Sequence, residues 1–560
     1  MSKKIDGNII VNDKELDRTK LFKLSKRISS DDFGDFVEDT KNLSDENLQI
    51  ATVQARIYDK KDHDKLRKYE LTDEKIEFDS YELYRIIALR DFGSVKAGDL
   101  GGFIEAESNL SHEGDCWVGG FAVVYNKAHI YGNARVYGNA EVCGNAKVYE
   151  NAEVYGNARV FDDVKVYGNA EVYGKAEVSY KVKIYGNAKV YGNSVLCCNV
   201  EVFDDAEVYG KANLHEDVKV YGYAKVYGYA KVYGYAKVYG YAKVYENAVV
   251  DDATISGNAE IYGEAEVIES AQICHNARVY GEAGVRGHSK ILHSARIYGQ
   301  ARIWDNAKIF GNAEIYDDAL VEDKACIYGN AKIHGSARVC DCAMVTKAAE
   351  VYDDAEIAGN AMIWGNAVIY GTAIVKDNAK VYGDTEVYGN AKIYNNTQVY
   401  GNAKVYDNAV IEGDIEIFDN AKIFGGVKIY NRVQISGNAE VFECARISGN
   451  AMISGNAMIS GNAMISGNAM ISGNAMISGN AMISDKAQIM GNSKIYGSAK
   501  IYDNVKVYGR ARVFGDIKVY GDIEILDNME ISNDNQINEK KIYRDIKIRK
   551  TKFKGSSLGL

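Results

Sequence analysis

Eight histidines, nine cysteines and 42 tyrosines are the residues of this 560-residue sequence with the most chemistry to offer. His129, His215, His275, His288, His293 and His334 fall within a repetitive stretch. A histidine works as a general base when a second group orients it and a cleft keeps water away. His275 and His293 stand 18 positions apart, a spacing that could stack them into a metal pair. Zinc would need further ligands, and the adjacent Cys274 takes the neighbouring outward position rather than converging with them. The two read as tolerated corner residues. The cysteines are odd in number, with scattered spacings and neither a C-x-x-C pair nor a disulfide framework, so they read as isolated thiols. Acidic residues recur in almost every repeat, so no Ser-His-Asp set or carboxylate pair stands out. No catalytic residue, metal ligand or cofactor is assigned.

What positions these groups is a hexad. From Cys116 to about Lys540 a six-residue unit recurs, typified by Ala134-Arg135-Val136-Tyr137-Gly138-Asn139, with one five-residue slip at Ala248 to Asp252. Alternation of small apolar residues followed by Gly-Asn predicts a short strand and a corner. Alanine and valine face inward, and the charged residue and tyrosine face outward. Glycine and asparagine tolerate the positive φ of a tight corner.

The fourth position sets the number of strands per coil. In steps of 18, Tyr131, Tyr149, Tyr167 and Tyr185 form one series, and Tyr137, Tyr155, Tyr173 and Tyr191 a second. The third reads Cys143, Phe161, Ser179, Cys197, His215. Three strands per coil explain all of them. About 24 coils at roughly 4.8 Å each predict a prism about 115 Å long. Each coil buries only a few small side chains, so stability depends on stacked neighbours and both ends need caps. Beyond the slip, the second series continues through Tyr262, Tyr280, Tyr298, Tyr316, Tyr352 and Tyr370, the candidate aromatic binding face. Its bland alternative is cross-strand stabilisation of the sheet.

Composition narrows the class. The chain has no proline, which cannot donate to a hydrogen-bonded ladder, and this disfavours a loop-rich enzyme. Apolar content of 47% excludes disorder, and 54 glycines are too few for collagen. No run is long enough to span a membrane, and the polar N-terminus lacks a signal-peptide core, so a cytoplasmic location is expected. A net charge of -11, mixed in sign along the repeat, cannot mimic DNA, and the few threonines, among them Thr385 and Thr397, cannot form an ice-binding array.

Four segments are expected: a polar extension over 1–66, a cap and entry over 67–115, the solenoid over 116–540, and a basic tail over 541–560. Weak helical patterns lie at Asp13 to Lys26 and Asp45 to Tyr58, and a glycine-rich turn at Gly98 to Phe103. The basic tail reads as a solvated capping strand, with binding to nucleic acid or an acidic surface as the alternative. Two tracts look copied in tandem. Lys219, Lys225, Lys231, Lys237 and Lys243 stand among paired tyrosines, but the absence of a groove pattern argues against nucleic-acid binding. Met452, Met458, Met464, Met470, Met476 and Met482 point outward in Ser-Gly-Asn-Ala-Met-Ile repeats, an adaptable collar or a neutral expansion.

Val136, Ala140, Val142 and Ala146 fit the two inward positions of the left-handed β-helix hexapeptide superfamily, which the repeat resembles. The residue after the aliphatic one, usually small or acidic there, is tyrosine here. The segment Ala88 to Gly98, then Gly101-Gly102-Phe103-Ile104, Asn109-Leu110-Ser111 and Cys116-Trp117-Val118, is similar to the leader of uncharacterised bacterial YdcK-like β-helix proteins. The resemblance implies left-handed coils. It also implies an alternative activity, since many superfamily members are trimeric acyltransferases in which a histidine activates the acceptor and an extruded loop helps enclose the donor.

The expected fold is all-β, a long three-sided parallel β-helix with a small α+β N-terminal cap. The expected function is a non-catalytic scaffold or spacer that could self-associate. The alternatives are a homotrimeric acyltransferase and a module that binds glycan or protein through the tyrosine face.

Overall fold

The computed structural model describes residues 67–526 and 528–532, together with the strands Lys4–Ile5, Asn8–Val11 and Lys14–Leu16, which pair antiparallel. Apart from Lys14–Leu16, which is a strand, the two helical patterns expected in the N-terminal extension lie outside the described residues, as does the basic tail. The chain divides into two units, Met1–Asn193 and Ser194–Leu560. Each contains three-sided parallel β-solenoid.

In the first unit the hairpin Tyr69–Phe78 and Tyr81–Ala88 turns at Asp79 and Ser80, both at positive φ, as a two-residue hairpin turn that follows strand twist requires. Leu100–Ile104 pairs antiparallel with the second hairpin strand and parallel with Val123–Val124, so the cap covers a sheet edge that would otherwise be open. Gly101 and Gly102 lie within this strand, not in the turn that the sequence suggests. They are glycine because the cap packs so closely: a Cβ at Gly101 would come 2.4 Å from Ile86 and 2.6 Å from the Val118 carbonyl. Lys68 is fully buried, its Nζ donating to the Cys116 carbonyl at 2.6 Å and lying 3.0 Å from the Cys116 thiol. Asn109, also buried, donates to the carbonyls of Asn126 and Ala128. A single 3-10 turn, Glu107–Asn109, is the only helical element among the described residues. None is long and apolar enough to cross a membrane.

The coils follow the hexad. Arg135–Val136 pairs in parallel with Glu153–Val154, which pairs with Glu171–Val172, each step spanning 18 residues. In the second unit Lys225–Val226 pairs with Lys243–Val244 in the same way. The inward alanine and valine or isoleucine are fully buried throughout. At four of the positions where serine or threonine replaces that alanine, Ser289, Thr385, Thr397 and Ser493, the hydroxyl bonds the carbonyl three residues back, whereas the buried Ser194 hydroxyl has no such partner. Thr385 and Thr397 thus face inward and offer nothing to ice. The slip is a shortened hexad: Lys237 pairs with Thr254 and Lys243 with Glu260, 17 residues on, after which the 18-residue step resumes.

At the corners only the first of the two turn residues is left-handed. Gly281 has φ of 74°, and a Cβ there would meet the Gly299 amide nitrogen at 3.0 Å. The asparagine that follows glycine does not adopt positive φ, so the sequence-based assignment of both residues to that role is corrected.

Candidate functional site

The tyrosines singled out in the sequence do share one column. Tyr262 and Tyr280 stack with centroids 4.8 Å apart and planes parallel, Tyr280 and Tyr298 at 5.0 Å, and Tyr298 and Tyr316 at 4.9 Å. His334 then occupies the column, followed by Tyr352 and Tyr370 at 5.0 Å from one another. In the second unit the stack runs unbroken from Tyr209 to Phe442. The spacing is that of neighbouring strands, so the sheet itself sets it.

This geometry decides what the column can do. Each ring covers the faces of the next, leaving only edges and hydroxyls directed outward. A sugar or nucleobase recognised by stacking would need an open face, so within the column this surface offers hydrogen bonds, not stacking. Burial pushes the Tyr298 hydroxyl up to about 12, with the carboxylates of Glu314 and Asp317 and the tyrosines above and below adding to the rise. Tyr262, Tyr280, Tyr316, Tyr352 and Tyr370 shift the same way, with burial as the main cause.

The histidines are held by the same framework. His334 Nε2 lies 3.1 Å from Glu350 and its ring is sandwiched between Tyr316 and Tyr352, so the imidazole is a member of the stack. His275 and His293 stack at 5.0 Å in left-handed corners, and the Gly311 amide donates to His293 Nδ1 at 3.5 Å. Cys274 Sγ lies 3.2 Å from His275 Nδ1. His129 Nδ1 lies 2.7 Å from the Ser108 carbonyl, at the cap. Cys197 Sγ is 2.6 Å from His215 Nδ1 and 3.5 Å from Cys198 Sγ. These thiols are therefore not all isolated. Among the described residues one further cluster brings possible metal donors together: Glu322, Asp323 and Cys340. Arg338 already occupies Glu322, and burial pushes the Cys340 thiol up to about 11, so a cation would have to displace both a guanidinium and a proton.

In the lysine tract, Lys219, Lys225 and Lys243 face Glu201, Glu207 and Glu260 at 3.3, 2.9 and 3.0 Å. Their companion tyrosines Tyr223, Tyr229, Tyr235 and Tyr241 are the exposed ones, and Tyr223 and Tyr241 stack at 4.9 Å.

Two recurrent features escape inspection of single hexads. Asparagines at the sixth position form ladders, each Nδ2 donating to the Oδ1 one coil on, as from Asn402 through Asn420, Asn438, Asn456 and Asn474 to Asn492. Acidic residues that replace the corner glycine accept a backbone N–H from the next corner: Asp353 from Gly371, Asp407 from Gly425, Asp419 from Gly437. Reading the fifth and sixth positions in steps of 18 would have revealed both.

The YdcK Beta solenoid repeat family matches at residues 128–144 and 445–461. The protein described as "Uncharacterized acetyltransferase YdcK" from Escherichia coli (strain K12) is 41% identical over 61 residues, 10% of this chain and 19% of the relative. The chain thus spans about a fifth of the length of the curated relative it matches. Repeat, coil geometry and these matches agree: the chain carries the YdcK β-solenoid repeat and is a β-solenoid similar to YdcK-like β-helix proteins.

Proposed function

We propose that the chain is a non-catalytic structural β-solenoid, a rigid scaffold or spacer. The observation that carries this reading is the commitment of its outward side chains to the neighbouring coil. Rings, asparagines and corner carboxylates each contact the residue about 18 positions away, and a surface employed in this way favours stiffness over chemistry. Between Cys116 and Ile531 no loop is extruded among the described residues, and His275, His293 and His334 serve as corner or stack members. A cytoplasmic location belongs to the same reading.

The bacterial relative's description as an acetyltransferase favours a second reading, acyl transfer, and the resemblance to the hexapeptide superfamily adds a homotrimer as its assembly. Incubation of the purified chain with a panel of acyl-CoA donors and amine or hydroxyl acceptors separates the two. The scaffold reading expects no saturable turnover. Turnover that a single substitution among His129, His215, His275, His288, His293 and His334 abolishes would replace it.

A further inference from the structure

The first unit holds an arrangement that does not serve its own stabilisation. On one face His129–Ile130, Lys147–Val148, Lys165–Val166 and Lys183–Ile184 pair in parallel, setting Lys147 directly opposite Lys165 and Lys165 opposite Lys183. Like charges in that relation repel. The other two faces of the same unit carry opposite-charge pairs: Lys189 meets Glu171 at 2.9 Å on the face where Glu153 also stands opposite Glu171, and Arg159 lies between Glu141 and Glu177 at 2.9 and 3.5 Å. Along one side of the lysine row stand Lys127, Asn145, Asp163 and Lys181, and the two rows bound a hollow of about 540 Å³. Lys127, Lys147, Lys165 and Lys181 are exposed, and Lys183 is half-buried. The lone carboxylate, Asp163, accepts a hydrogen bond from Asn145 at 3.0 Å. Leaving Lys183 aside, the four ammonium groups of Lys127, Lys147, Lys165 and Lys181 against one carboxylate leave a surplus of three positive charges around a space of small-ligand size.

We propose that this hollow binds a multiply charged phosphate chain, either as a free oligophosphate or as the phosphates of a nucleotide. Charge density decides the ligand class. A terminal phosphate brings about -1.5 to -2 charges and three acceptor oxygens, so two or three linked phosphates balance the surplus, whereas a carboxylate brings one charge. Lysine suits the task as a compact point charge with three donors and no fixed fork. The sheet holds the lysine Cα atoms at strand spacing, roughly 4.8 Å, so only the side chains have to be ordered on binding. The proposal stands independently of the scaffold reading, because a solenoid can serve as a scaffold with or without an anion site.

Titration calorimetry of the full chain with tripolyphosphate at low salt tests it. Saturable binding is expected, weakened by tenfold or more in K147Q/K165Q and in K127Q/K181Q on the opposite wall, and weakened further as salt rises. Melting temperatures establish that both variants fold. The control is K290Q/K308Q, a second directly opposed lysine pair, in the second unit, which should change affinity by less than twofold. A nucleoside triphosphate run in parallel distinguishes the sources. Equal affinity identifies the phosphate chain alone as the ligand and tighter binding identifies a nucleotide, and either result supports the site only if K147Q/K165Q weakens it. The proposal is overturned by the absence of saturable binding, by equal loss in the control, or by tighter binding of an oligouronate than of tripolyphosphate.

Discussion

Between Tyr209 and Phe442 an aromatic ring or imidazole crowns every coil in one column, while between Ile447 and Ile483 that position holds serine and the outward charged position holds methionine. The backbone pairing is the same in both regions: Arg278 lies opposite Arg296 as Met458 lies opposite Met476. So is the core, fully buried alanine with valine or isoleucine. The regions differ in what the surface specifies. Tyrosine coils have distinct faces, one stacked and others not, and charged neighbours that pair or repel. Methionine coils have three nearly equivalent faces, each with two opposed methionines, and no charged residue from Ile447 to Ser484. Coil formation therefore belongs to the core and corners, and rotational register belongs to the outer side chains.

The largest separation should come with alkaline pH. Tyr262, Tyr280, Tyr316, Tyr352 and Tyr370 in the stack hold their protons above the ordinary value, and Tyr298 is pushed up to about 12. Below pH ~10 folded and unfolded chains are both protonated and the contribution of the stack is intact. Between that pH and the folded values the unfolded chain releases protons that the stack retains, so stability falls as pH rises. Thermal melts at pH 8 and pH 11 should differ by more than 10 °C. Tyrosinate absorbance should appear together with unfolding; tyrosinate forming freely in a folded chain would contradict the stack.

A triple substitution, Tyr280, Tyr298 and Tyr316 to serine, comes next. Each ring gives up about 2 kcal/mol of burial and ring contact. The matching change of Met458, Met464 and Met470 to serine should cost less than about 0.5 kcal/mol per site, because Met464 and Met470 are exposed and methionine, half-buried at 458, is easily accommodated. Hydrogen exchange should localise the first loss to the substituted coils, as expected of a solenoid whose repeats contact only their neighbours.

Much of this architecture was legible because its period exceeds the hexad. The identity of the fourth residue in steps of 18 gave three strands per coil, and the shortened hexad at Ala248 to Asp252 appears as the 17-residue pairing of Lys243 with Glu260. The tyrosine column was legible as a column, but not the closure of its ring faces, which depends on a centroid spacing of about 4.9 Å. Asparagine was understood through backbone conformation, whereas its work is side chain to side chain along the axis, as from Asn420 to Asn438. The buried Lys68 had no local signal: its partner Cys116 lies 48 residues away and is fixed only once the cap has folded.

Deleting one hexad tests where register resides. Removing residues 281–286 turns everything downstream by one face, placing Trp304 over Tyr280 with Glu322 and Cys340 next, so the column ends one ring on, while Tyr298 loses Tyr280 as its ring partner and stands over Cys274. The junction should lose about 2 kcal/mol, the worth of one well-packed ring contact and its burial. Removing 455–460 brings methionine over methionine and serine over serine and should leave the melting temperature within about 1 °C, since an equivalent face replaces each one displaced. Equal sensitivity of the two deletions would place register in the core.

The smallest effect should be common to both regions, because one asparagine ladder runs through them. Asn420 donates to Asn438 at 2.9 Å among the aromatic coils, and Asn474 donates to Asn492 at 2.9 Å beyond the methionine tract. Each such bond is exposed and competes with water, so Asn420→Ala and Asn474→Ala should each cost about 0.5–1 kcal/mol. Denaturant melts resolve differences of that size when the two variants are compared side by side. A cost shared by the two would mean that the ladder acts on the corner alone, whatever stands on the faces. A markedly larger loss at Asn420 would tie it to the neighbouring aromatic stack, and the corner would then help to set register as well as to turn the chain.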